Sequence, residues 1–81
     1  MTIEHFIWTA HAERRRKQRL LDRVEVERAI RAGHAVPAIN RGQADWRAHG
    51  LTGDGRRFVV VYDHPHRHNP QTARIVSLWD L

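Results

Sequence analysis

His11, Arg15 and Arg19 recur at i, i+4 and i+8. On a helix turning about 100° per residue, three such positions drift only about 80° around the axis and share one face. Metal-independent cleavage of an RNA phosphodiester needs a base for the ribose 2′-hydroxyl, a cation for the developing phosphorane charge and an acid for the leaving 5′-oxygen. His and Arg supply all three roles. His11 is therefore the acid/base candidate, and Arg15 and Arg19 are candidates for steadying phosphate charge. The competing reading is plainer: His11 packs at a strand–helix junction and the arginines form a solvated helix face.

Further cations surround this set. Arg14, Arg16 and Lys17 lie on the same helical run, and Arg47, His49, Arg57 and Arg74 fall on later extended segments. The four later residues share a sheet face only if the strands pair in a simple meander, because one slipped residue scatters them between faces. All seven are candidates for a phosphate-binding surface, against a bland reading as solvent-facing charge. Asp63-His64-Pro65-His66-Arg67-His68 places histidines at alternate positions beside a carboxylate, a ligand set of the kind that suits Zn or Ni. Alternate residues of an extended segment point the same way about 6.6 Å apart, too far to chelate one ion without a bend. A mobile hairpin tip carrying pH-dependent charge is the preferred reading, with no metal or cofactor expected. Trp8, Trp46 and Trp79 are read as core, although an exposed one would stack on a base.

The composition sets the frame for these residues. Eighty-one residues suffice for one domain, expected to span 1–81, and a core of this size supports modest stability. No cysteine is present, so neither disulfides nor thiolate metal sites add to it. Fourteen basic residues against nine acidic leave a net charge of +5, and every basic residue except Lys17 is Arg. Arg grips phosphate through a planar fork and stacks on bases, whereas Lys acts as a hydrated point charge. A GC-rich genome would produce the same bias whatever the function. The opening stretch carries Glu4 where a signal peptide carries basic residues, and its apolar run is too short to cross a bilayer. Cytoplasmic residence without membrane contact is expected.

These residues need elements to hold them. Ile3 to Trp8 reads as a strand, with Thr9 as an N-cap and a helix from Ala10 to about Leu21. That helix is too polar for core packing, which argues for a partner. Asp22 and Glu25 have capping-box spacing, and Val26, Ala29 and Ile30 follow helical periodicity up to Gly33. Four strands are expected after His34, the first weakened by Pro37, with turns at Asn40-Arg41-Gly42, Gly53-Asp54-Gly55 and across Asp63 to Gln71. Arg57 to Asp63 alternates with Phe58, Val60 and Tyr62 on one face. Arg74 to Asp80 alternates with Ile75, Ser77 and Trp79 against Arg74, Val76 and Leu78. The fold class is α+β: strand, helix, helix, then a four-stranded antiparallel meander, with the helices on one face and the other partly open.

The run His11-Ala12-x-x-Arg15-x-x-x-Arg19, the capped helix ending Ala29-Ile30-x-x-Gly33, and the late strands Arg57-Phe58-Val59-Val60-Val61 and Ala73-Arg74-Ile75-Val76-Ser77-Leu78 resemble a family of small prokaryotic and phage-borne H-A-x-x-R domains. That family is similar to the RelE and BrnT toxins of toxin–antitoxin operons. The resemblance covers nearly the whole chain. It implies a RelE-like fold, cleavage of free or ribosome-bound mRNA without metal, and inhibition by a co-encoded acidic antitoxin. The family's helix motif falls on His11, Ala12, Arg15 and Arg19, and its late-strand arginine falls on Arg74. The long His-rich connection before the last strand departs from the pattern. Two rival readings stand beside this one. A non-catalytic basic module would dock nucleic acid or an acidic protein through charge alone, and a metal-dependent hydrolase built on the late histidines would lose activity with chelator.

Overall fold

Thr9 does two jobs at the first junction. In the computed structural model, which describes residues 3–33, 35–38 and 45–81, its hydroxyl accepts from Ala12 N–H at 3.1 Å and donates to Ile75 C=O at 2.9 Å. The first contact starts helix α1 (Ala10–Gln18) as an N-cap. The second ties that helix to the last strand, β5 (Thr72–Asp80), next to the end of β1 (His5–Trp8). Helix α1 stops earlier than its composition suggests. Leu20 takes φ +54°, Leu20 N–H donates to Lys17 C=O at 3.2 Å, and Leu21 N–H donates to Arg16 C=O at 3.0 Å. This is a Schellman closure, built here on a leucine where glycine is usual. Leu20 is consequently left exposed and Leu21 buried. Arg56 reinforces the end by donating to the Arg19 and Leu20 carbonyls, both at 2.7 Å.

Asp22 caps helix α2 (Arg23–Arg31) by accepting from Val24 N–H at 3.0 Å. Glu25 does not close the expected capping box. Its carboxylate instead accepts from Gly53 N–H in the turn joining β3 (Trp46–Leu51) to β4 (Arg57–Asp63). Gly33, at φ +76°, follows the end of α2, and the two-residue β2 (Val36–Pro37) comes next. The turn expected at Asn40-Arg41-Gly42 lies outside the described residues.

The sheet has the order β1-β5-β4-β3-β2. It is neither the four-stranded antiparallel meander expected from sequence nor the RelE-like arrangement that the resemblance implied. β2, β3, β4 and β5 pair antiparallel in succession, but β1 joins beside β5 in parallel, making a five-stranded mixed sheet. The crossover through both helices provides the chain length that a parallel partner needs. Val26, Ala29 and Ile30 from α2 and Ala12 from α1 meet Ala48, Phe58, Val60, Tyr62, Ala73, Ile75 and Leu78 in one core. Each large side chain sealed there contributes roughly 1.5–3 kcal/mol.

The alternation expected in β5 fails at one point. Val61 pairs with Ser77 and Tyr62 with Ile75, which leaves Val76 without an opposite residue. This bulge adds one residue to β5 and reverses the side-chain parity beyond it. Ile75 and Leu78 therefore share the core face, whereas Arg74, Ser77 and Trp79 share the opposite face.

Candidate functional site

The face of the sheet opposite the helices is where the polar residues of the strands collect. Register places Arg47, His49 and Leu51 of β3 beside Val61, Val59 and Arg57 of β4, and Asp63, Val61 and Val59 beside Arg74, Ser77 and Trp79 of β5. All four sheet residues singled out from sequence, Arg47, His49, Arg57 and Arg74, thus stand on one face. Val59 and Val61 stand between them, 2% and 6% exposed, and among the described residues no helix covers this side.

Helix α1 borders this face along the free edge of β5. Thr9 meets Ile75, His11 Nε2 lies 3.1 Å from Ser77 Oγ, and Arg19 Nη1 lies 3.4 Å from Asp80 Oδ1. Ten helical steps cover about 15 Å and five strand steps about 16.5 Å, so helix and strand stay in step. Arg15 consequently falls level with Leu78 and Trp79. Two rows cross the face: His11, Ser77, Val61 and Arg47 in one, and Arg15, Trp79, Val59 and His49 in the next. The helical set thus borders β5, which carries Arg74, while Arg57 lies one strand further and Arg47 and His49 two strands further.

The cations differ in what already holds them. Arg74 Nη1 donates to Asp63 Oδ2 at 3.0 Å, and Arg19 faces Asp80. Arg15 and Arg47 contrast with these, because each has a buried Nε with no hydrogen-bond partner among the described residues. A buried unpaired donor costs about 1–3 kcal/mol. Arg14 and Lys17 are exposed on α1. Arg57, also exposed, lines a shallow depression of about 350 Å³ with His49, Gly50 and Leu51.

Arg16 is engaged elsewhere. It donates to Glu13 and to Leu21 C=O, and its guanidinium lies 5.9 Å from the Trp8 ring centroid. Arg23 completes the cluster, reaching Glu13 Oε2 at 3.1 Å and lying 5.7 Å from the same ring. Trp8 itself donates its indole N–H to Glu27 at 2.8 Å. The hydrogen bond from Arg16, followed by that from Arg23, holds the Glu13 carboxyl below its usual range. A depressed carboxylate contributes stability above its unfolded pKa and loses it as pH falls through the folded value. We expect the wild type to resist urea better than Glu13→Gln at neutral pH, with the gap closing under acid. An unchanged gap in strongly acidic urea titrations would show that these pairs do not couple stability to pH.

The His-rich connection forms a hairpin tip. Arg67 and His68 both take positive φ, and His66 bridges Asn69 across the turn. His64 donates to Pro70 C=O at 2.8 Å. Among the described residues, no group of three or more His, Asp or Glu side chains is placed to hold a metal ion.

Sequence reasoning missed Ser77 as the contact for His11 and misassigned Trp79. Trp8 and Trp46 pack against the core, but Trp79 belongs to the open face. Their separation follows from the bulge at Val76, which no residue type in this stretch announces. No family model, curated protein or solved structure matches the chain.

Proposed function

We propose that this chain is a toxin-like, metal-independent endoribonuclease that cleaves mRNA on its open sheet face. The observation that carries the reading is the 3.1 Å contact between His11 and Ser77, which brings the helical His/Arg stripe to the border of the strand arginines. His11 removes the proton from a ribose 2′-hydroxyl. The 2′-oxygen attacks phosphorus, the bond to the 5′-oxygen breaks, and that oxygen takes a proton from solvent water while His11 returns its own to solvent, giving a 2′,3′-cyclic phosphate. Arg15 and Arg47, which form no ion pair among the described residues, supply positive charge for the phosphorane oxygens. Arg19 and Arg74 widen the positive field while sharing their charge with Asp80 and Asp63.

On this reading the domain works in the cytoplasm. An acidic antitoxin covers the basic face until it is released. No helix among the described residues is long and apolar enough to cross a membrane. The test is to incubate purified protein with mRNA, with and without ribosomes. Fragments ending in 2′,3′-cyclic phosphate, formed equally in the presence of chelator, are expected. Intact mRNA in every arm would sink the cleavage reading.

The Arg19–Asp80 and Arg74–Asp63 pairs favour a second reading, a non-catalytic module, because carboxylates beside two of the proposed phosphate cations weaken transition-state stabilisation more than simple docking. RNA retained in a gel shift yet left intact would identify it.

A further inference from the structure

We infer that Trp79 is a nucleobase-stacking platform and makes the open face select single-stranded over duplex RNA. The inference deepens the proposed function and rests on reading the open face as an RNA surface. Trp79 is half-buried like the other two tryptophans but differs from them in sheet face and in hydrogen bonding. Trp8 and Trp46 pack against the helix-covered core, and each donates its indole N–H, to Glu27 at 2.8 Å and to His64 C=O at 3.1 Å. Trp79 is half-buried on the uncovered face, and among the described residues its indole N–H has no partner. A bulge is needed to put it there. With unbroken alternation, Trp79 would share a face with Ile75, inside the core.

Its surroundings fit a stacked nucleotide. The apolar Val59 lies directly opposite on β4, and His49 lies one strand further. Arg57 is two residues from Val59 along β4, about 6.6 Å away at the backbone. Arg47 occupies the neighbouring row, opposite Val61, and helix α1, which carries Arg15, packs along β5. An aromatic plane on a sheet face that also carries arginines suits a base with its phosphates. In a duplex the bases are already stacked and their faces are closed to an indole.

The test uses a short oligoadenylate and a duplex RNA of equal length, with His11→Gln as the background so that neither is cut. Trp79→Leu preserves apolar cover over Val59 but cannot stack, and Trp79→Phe keeps a smaller aromatic plane. Single-strand affinity is expected to fall roughly 5- to 100-fold in Trp79→Leu and by less in Trp79→Phe. Duplex binding, weaker at the start, should not change, and circular dichroism should show all proteins folded. Trp79 emission, read in a chain with Trp8→Phe and Trp46→Phe, should be quenched by oligoadenylate. Equal single-strand affinity in Trp79→Leu and wild type, or equal wild-type affinity for both RNAs, would overturn the stacking role and leave RNA binding intact. Failure of the wild type to bind either RNA would overturn both readings.

Discussion

His11→Gln is expected to slow mRNA cleavage by about 10²- to 10⁴-fold, the usual contribution of a positioned acid or base, with RNA affinity unchanged. Gln retains a polar amide that reaches Ser77, so the local hydrogen bond at 3.1 Å has a substitute. It removes the proton acceptor. His11 is exposed in the first turn of α1, and Thr9 rather than His11 caps that helix. The substitution should therefore leave thermal stability within about 0.5 kcal/mol, as for surface changes away from special features. Cleavage kinetics and filter binding on the same preparation separate the roles. Full cleavage by His11→Gln would remove His11 from the chemistry, whereas lost binding would make it a docking residue.

Gly50→Ala is expected to have the largest effect on stability. A Cβ at Gly50 would stand 2.2 Å from Phe58 Cζ, 2.7 Å from Phe58 Cε1 and 2.8 Å from Ala29 Cβ. Phe58 is fully buried and Ala29 sits on α2, so the ring has no solvent side to retreat into. Overpacking of this kind costs about 1–3 kcal/mol, and more where the backbone must shift. In a domain of this length each kcal/mol lowers the melting midpoint by about 4–8 °C. The specific cause is testable. Phe58→Leu removes the two ring atoms that a new Cβ would strike and leaves only the Ala29 contact, so the double variant should lose less than the sum of the two singles. Strict additivity in urea unfolding would place the cost of Gly50→Ala somewhere other than the Phe58 ring. His49 and Leu51 flank Gly50, so a β3 pushed away from α2 would also displace the rim of the depression near Arg57.

Local signals in the chain were sufficient where the deciding contacts are short in sequence. Thr9 and Asp22 cap the helices they precede, Val26, Ala29 and Ile30 make the buried stripe of α2, and Phe58, Val60 and Tyr62 line the inner face of β4. Caps and periodicity act within a few residues, so residue type and spacing express them directly. Glu25 shows the limit of such reasoning. Its spacing from Asp22 was right for a capping box, but Gly53, brought near by the β3–β4 turn, supplied a different donor. Leu20 shows another, since a leucine in the left-handed region ends α1 with Arg56 from that same turn on its carbonyls.

By itself the sequence determined a basic α+β chain whose first helix carries His11, Arg15 and Arg19 on one stripe, because helical periodicity is a property of the chain alone. Only the tertiary structure decided that this stripe runs along β5 past the end of β1, bordering the sheet face that carries Arg47, His49, Arg57 and Arg74. It also decided that β1 pairs in parallel and that Ser77 and Trp79 turn outward. Those outcomes depend on strand register and on one unpaired residue, Val76, both chosen by packing between segments far apart in the chain.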